Sequence, residues 1–215
     1  MTTASDARFW DRTSRKYARA PIGDQAGYER TLDRTRALLK PDDRVLELGC
    51  GTGTTALRLA GDVQGYLATD ISVEMIEIAK GKQNASPVPG LVFQTGTAEA
   101  LASETGQFDA VLGFNYLHLV HDLPGTLRSI HAVLAAEGLF ISKTPCLGDM
   151  NPLLRVVLLS TMRAMRAIGK APYAGAFRAE KLNQQIHAAG FDVLATENHA
   201  TKSTAIRPYI VARKR

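Results

Sequence analysis

Three glycines within five residues, Gly49, Gly51 and Gly53, close an apolar run, Val45 to Leu48, whose one charged residue is Glu47. A glycine-rich turn between a strand and a helix lets bare backbone and the positive end of a helix dipole approach a ligand, and such turns usually cradle phosphate. A carboxylate two residues before the first glycine opposes that use, because it repels a polyanion. It attracts instead a ligand that carries an ammonium and a sulfonium, and S-adenosylmethionine carries both. The dinucleotide pattern G-x-G-x-x-G needs its third glycine where Thr54 stands, so a nicotinamide-dependent oxidoreductase is the lesser reading. A non-catalytic cofactor-binding module is the third.

Asp70 ends the next apolar run, in YLATDIS. An acid there accepts hydrogen bonds from both hydroxyls of an adenosine ribose, which indicates adenosine without choosing the cofactor. Its alternative role is a charge favouring the dipole of the following helix. His118, in NYLHLVHD, is the candidate base because histidine titrates near working pH; a satisfied structural histidine fits the same position. His118 and His121 have i, i+3 spacing but no third ligand of suitable spacing follows, so no metal is expected. His131, His187 and His199 read as helix-surface or loop residues.

The elements that must position these residues follow from composition and periodicity. At 215 residues, 45% apolar and 22% charged, the chain suits one α/β domain with a proper core. The first twenty residues show no apolar region before a cleavage site, and no apolar run approaches membrane-spanning length. Its two cysteines, Cys50 and Cys146, lack metal-type spacing, so a reducing, cytoplasmic setting is expected. The net charge of +5 is uneven: residues 146–215 hold eleven Lys and Arg against four acids, the rest fifteen against seventeen. That asymmetry suits an anionic partner or a solvated basic face.

Apolar β-type runs alternate with helical patterns, the mark of βαβ units around a mostly parallel sheet. Strands are predicted at Arg44 to Leu48, Gly65 to Thr69, Leu91 to Gln94, Phe108 to Phe114 and Leu139 to Lys143. Helices are predicted at Thr54 to Ala60, Val73 to Gly81 with Ser72 as N-cap, and Pro124 to Ala136 closed by Gly138. After a helix at Ala179 to Ala189, strands Phe191 to Glu197 and Ala205 to Ala212 are joined by a link too short for a crossover, so they pair antiparallel. The division expected is a helical cap over 1–40, a cofactor-binding core over 41–145, a helical lid over 146–178, and a closing helix and hairpin over 179–215.

The lid carries Arg155, Arg163, Arg166 and Lys170 on one helical stripe, with Leu153, Leu154, Val157, Leu158, Met162, Met165 and Ile168 across the far side. The simplest arrangement packs the apolar side on the domain and leaves the basic edge in solvent. If functional, residues 151–170 suit an amphipathic acidic substrate or a peripheral membrane contact. In the cap, Phe9, Trp10 and Tyr17 recur at helical spacing and read as a core-facing stripe.

Residues 45–143 resemble the core of the class I S-adenosylmethionine-dependent methyltransferases, particularly the group acting on small molecules, quinones and lipids. VLELGCGTG, ATDIS with the VEMIEIAK helix, GTAEAL, FDAVLGFNYLHLV and GLFISK carry the likeness in order. It implies a Rossmann-like seven-stranded sheet with a reversed final strand, helices on both faces, and methyl transfer to a small hydrophobic or anionic acceptor. Nucleic acid is disfavoured, because FNYLHL is not the N/D-P-P-[YFW] tetrad of enzymes that methylate it. By resemblance, Glu47 with Gly49, Cys50 and Gly51 would hold the methionine end, and Asp70 the ribose. Ile71 and Met75 would pack on adenine, and Thr97-Ala98 would line its edge. The family usually places aspartate where Thr97 stands, and Glu99 is the available substitute. Asn115 would offer backbone near the methionine moiety, Tyr116 and His118 would face the reaction centre, and Tyr17 would cover the cofactor mouth.

Overall fold

The computed structural model describes residues 3–102, 108–201 and 207–215. Its elements run α1 (Thr3–Arg19), α2 (Gln25–Arg36), β1 (Arg44–Leu48), α3 (Ala56–Leu59), β2 (Gly65–Asp70), α4 (Val73–Ala85), β3 (Leu91–Thr95) and α5 (Ala98–Ala102). There follow β4 (Phe108–Phe114), α6 (Leu123–Val133), β5 (Leu134–Lys143), α7 (Pro152–Ala167), α8 (Ala179–Ala188), β6 (Phe191–Asn198) and β7 (Pro208–Lys214). The seven strands form one sheet in the order β3-β2-β1-β4-β5-β7-β6. The first five are parallel, while β7 runs antiparallel to both β5 and β6, so the reversed terminal hairpin is present. The predicted start of the last strand at Ala205, and link residues 202–204, lie outside the described residues.

The order reverses between β1 and β4, and a crevice opens there because the loops leaving these strands run to opposite sides. Two apolar layers flank the sheet and fix that crevice. One packs Leu46, Val111 and Phe140 against Leu127, Ile130 and Ile186; the other packs Val45, Leu112 and Ile141 against Leu32, Leu59 and Ile76. Helix α4 presents Met75, Ile76 and Ala79 inward as its periodicity requires, and leaves Glu74, Glu77 and Lys80 exposed. Ser72 caps α4 by accepting from the Met75 amide at 3.1 Å, and its hydroxyl donates to Asp11 at 2.7 Å, pinning α1 to α4. Replacing Ser72 with Ala removes both bonds, and urea melts should show a loss of about 1–2 kcal/mol.

Four expectations are corrected. The helix expected to reach Ala136 stops at Val133, and the chain enters β5 at once: Leu134 pairs with Phe108 and the register breaks before Ala110 meets Leu139. Pairing overrides the helical preference of Ala135 and Ala136. Gly138 therefore sits in this irregular stretch after Glu137 at φ +61°, where a Cβ would lie 3.0 Å from the Ala135 carbonyl oxygen, and caps no helix. His199 is 3% exposed, stacked on Tyr209 at 4.4 Å and bonded to Thr31 and Glu197, so it belongs to the packed interior. His131 lies on α6 but is half buried, edge-on to Phe191 at 5.2 Å. Helix α7 reverses the simplest arrangement, since Arg155 and Arg166 turn toward the domain while Leu153, Leu154, Val157 and Ile168 face out.

Candidate active site

The glycine loop is built around three residues that only glycine tolerates easily. Gly49, Gly51 and Gly53 have φ of +69°, +54° and +75°. A Cβ on Gly49 would lie 2.8 Å from the Tyr116 ring, and one on Gly53 would lie 2.6 Å from Phe93. The loop is anchored by Cys50 N–H donating to the Thr69 carbonyl at 2.9 Å, and from below by Lys82 Nζ, which donates to the Thr52 carbonyl at 2.9 Å. Cys50 is buried, and desolvation with the Glu47 and Asp70 charges pushes its thiol up, away from the reactive thiolate form.

Asp70 closes the loop from the next strand. One oxygen accepts from Gly51 N–H at 2.9 Å and the other from Ser72 N–H at 2.9 Å, which leaves free lone pairs on both. Burial raises its pKa, with the Asp11 charge adding to it, and the backbone N–H groups of Ser72, Gly51 and Ile71 oppose that rise. Tyr17 lies over this pair: a Cβ on Gly51 would be 3.6 Å from its ring, and Trp10 meets it edge-on at 6.0 Å. Tyr17 itself is 51% exposed, so the aromatic stripe of α1 covers a cavity mouth instead of a core.

That cavity has a volume of about 740 Å³ and takes in Gly49, Gly51, Asp70, Ile71, Met75, Thr97, Glu99, Asn115, Tyr116, His118 and Tyr17. Ala98, expected on the adenine edge, is fully buried and does not line the cavity. The Thr97 hydroxyl accepts from Ala100 N–H at 3.3 Å, capping α5, and Glu99 accepts from the Thr126 hydroxyl at 2.6 Å. Asn115 stands at φ +53° and donates its N–H to the Lys143 carbonyl at 2.7 Å, which leaves its carbonyl and side chain for any ligand. The Tyr116 hydroxyl is held protonated by burial and by the nearby Glu99 and Asp70 charges.

Glu47 sits beneath the loop rather than on the cavity wall. It is 3% exposed and accepts from the Tyr66 hydroxyl at 2.9 Å. Burial pushes its carboxyl up to about 7, the Tyr66 bond partly opposing it and the Asp70 charge adding to it. Among the described contacts it has no cation.

The far end of the cavity was less legible. His118 lines it with Nδ1 buried and unbonded, and desolvation with the Arg207 charge depresses its pKa to about 4. Arg207 is the single Lys or Arg among the described lining residues. His121 does not join His118: its Nε2 meets Asp6 at 2.7 Å while its ring stacks on Tyr173 at 4.3 Å. The second Asp6 oxygen accepts from Tyr173 N–H at 3.0 Å, and the Arg166 guanidinium lies 5.0 Å above the Tyr173 ring. Asp6, Tyr173 and Arg207 escape sequence reasoning because Asp6 and Tyr173 are 167 positions apart and no local pattern marks any of the three. Among the described residues no cluster of three His, Cys, Asp or Glu is placed to hold a metal.

A reversed seventh strand and an acid-flanked glycine loop at the switch point define the class I methyltransferase architecture. A family model described as a methyltransferase domain matches residues 18–196. The chain belongs to this family, the class I S-adenosylmethionine-dependent methyltransferases. It is 32% identical over 102 residues to an uncharacterized methyltransferase, YcgJ, of Bacillus subtilis, covering 47% of this chain and 40% of that protein. It is 33% identical over 122 residues to demethylmenaquinone methyltransferase of Symbiobacterium thermophilum, covering 55% and 47% respectively. The chain spans about half the length of the curated relatives it matches. Magnesium protoporphyrin IX methyltransferase from Synechocystis, solved with S-adenosylhomocysteine, superposes with a TM-score of 0.70 at 17% identity, covering 98% of this chain and 96% of that one, and so shares the fold.

Proposed function

We propose that this chain transfers the methyl group of S-adenosylmethionine to a small, lipophilic acceptor that presents an ionisable group at His118 and Arg207. The observation that carries this reading is one continuous cavity lined by Asp70 and the glycine loop at one end and by Arg207 and the His118 imidazole at the other. The residues fit the cofactor. Glu47 is a buried acid lacking a cation, the condition an ammonium relieves, and Gly51 carries no side chain where the ligand would lie. When bound, the sulfonium supplies an already activated methyl group, so the protein's work is positioning. The quinone-type relative named above, together with Leu119, Val120, Pro145 and Pro172 on the cavity wall, supports a lipophilic acceptor.

His118 is better suited to orienting the acceptor than to storing its proton. Moving a proton from a phenol-like hydroxyl of pKa about 10 to an imidazole at about 4 costs about 8 kcal/mol. The neutral ring, in the tautomer protonated at Nε2, would donate from Nε2–H to the ionised oxygen that Arg207 favours. His118→Ala should lower kcat about tenfold and leave S-adenosylhomocysteine affinity unchanged. At saturating cofactor, the wild-type rate should show no histidine limb between pH 6 and 7, because the imidazole is already neutral there.

The test is thermal shift followed by turnover. S-adenosylhomocysteine should raise Tm and NADH should not. A panel of phenols, quinols and carboxylates should then yield a methylated product, identified by mass spectrometry. Stabilisation by NADH alone would return the oxidoreductase reading, and tight cofactor binding without turnover across the panel would return the binding-module reading.

A further inference from the structure

Helix α7 is inside out. Of the eleven large apolar side chains that stand exposed among the described residues, six belong to it or its C-cap: Leu153, Leu154, Val156, Val157, Met165 and the capping Ile168, the first at 74% exposure. The other five, such as Ile22 and Val92, are scattered over separate elements, as on any soluble surface. On a helical projection these six share the outward half-turn with Ser160, Thr161, Ala164 and Ala167, and no charge interrupts them. The inward half carries Arg155, whose guanidinium donates to the Gly148 carbonyl at 2.7 Å, and Arg166 over Tyr173. No residue of α7 is fully buried. A contiguous apolar face of this kind marks a surface that meets something.

The charges around the face say what it meets. No acid occurs between Asp149 and Glu180, whereas Arg163 and Lys170 are exposed at the edge of the face. Helix α1 adjoins the C-terminal end of α7, with Arg12 donating to the Gly169 carbonyl at 3.0 Å. Arg8, Arg12, Arg15, Lys16 and Arg19 form one exposed stripe along α1, while its acids Asp6 and Asp11 turn inward to His121 and Ser72. An uncharged greasy half-turn rimmed by cations, on a helix too short and too charged to cross a bilayer, matches an anionic lipid surface. Both ends of α7 lead into cavity-lining residues, Pro145 before it and Pro172 with Tyr173 after it.

We infer that α7 lies in the interface of an anionic phospholipid bilayer, with the α1 stripe against the headgroups, and sets the cavity mouth at the membrane surface. The lipophilic-acceptor reading gives this docking its purpose: a substrate dissolved in the bilayer would enter without crossing water. The docking itself is measured independently of any acceptor.

The test is flotation with vesicles of phosphatidylcholine alone and vesicles holding about one-third phosphatidylglycerol. The wild-type protein should float with the anionic vesicles, less so at high salt and little with the neutral ones. Leu153→Asp with Val157→Asp should reduce flotation at least about tenfold, and Arg8→Glu with Arg15→Glu should do so on anionic vesicles. Both variants should keep the wild-type thermal shift with S-adenosylhomocysteine, which shows them folded. Flotation that is absent, or unchanged in the Leu153/Val157 variant, would overturn the inference. So would a dimer in light scattering that the same pair dissolves without vesicle binding, since the face would then belong to a second copy. Flotation without methylation of any lipophilic acceptor would leave the docking standing and reject only the acceptor.

Discussion

At pH 8, Glu47→Gln is expected to weaken S-adenosylhomocysteine binding by about 1.5–3 kcal/mol, roughly 10- to 150-fold, measured by titration calorimetry. The variant keeps the shape and a hydrogen bond to Tyr66 but removes the charge an ammonium would meet. A pH dependence should accompany it. Burial holds the Glu47 carboxyl near 7 in the empty protein, so below that pH binding must first expel a proton. Wild-type affinity should therefore fall about tenfold from pH 8 to pH 6, with up to one proton released per ligand bound, while the Gln variant stays nearly flat. The sign for stability is the opposite one. A carboxyl raised from 4.5 to about 7 stabilises the empty fold fully below 4.5, and that contribution is lost as pH rises through 7. Equal affinities of the two proteins at pH 8 would remove Glu47 from the cofactor site.

Asp70→Asn should cost more, about 2–4 kcal/mol of S-adenosylhomocysteine affinity, or roughly 30- to 1000-fold. Asp70 spends one oxygen on Gly51 N–H and the other on Ser72 N–H, and an amide can accept through only one of these. Whichever way it turns, an NH2 group faces a backbone donor. The loop and the start of α4 then lose their common anchor as well as the charge proposed to meet the ribose hydroxyls. Asp70→Glu, which keeps the charge but lengthens the reach, should recover little. Affinity within about threefold of wild type for Asp70→Asn would place the ribose elsewhere.

What could be read from the chain was what local chemistry encodes. The loop from Gly49 to Gly53, the acid at the end of β2, the Ser72 cap and the alternation of strands and helices are all settled within a few residues, and the architecture follows from them. The site residues fared differently according to reach. The chain revealed Glu47 but not that its carboxyl turns under the loop to Tyr66, since that depends on what the neighbouring strand places there. Helix α7 showed two faces in its periodicity, yet nothing local says which face meets the domain, and Arg155 found a carbonyl that no pattern announced. The stop at Val133 was missed because strand pairing outweighs the helix preference of two alanines, and a glycine after a helical run resembles a cap. Asp6, Tyr173 and Arg207 come together only through tertiary closure.

Asp6 fastens helix α1 to two other segments of the cavity wall. One oxygen holds His121 and the other the Tyr173 amide, while the helix that carries Asp6 also lines the cavity through Trp10 and Tyr17. A displacement of α1 that withdraws Trp10 and Tyr17 from the cavity would therefore also break both Asp6 contacts, one on each of two other segments of its wall.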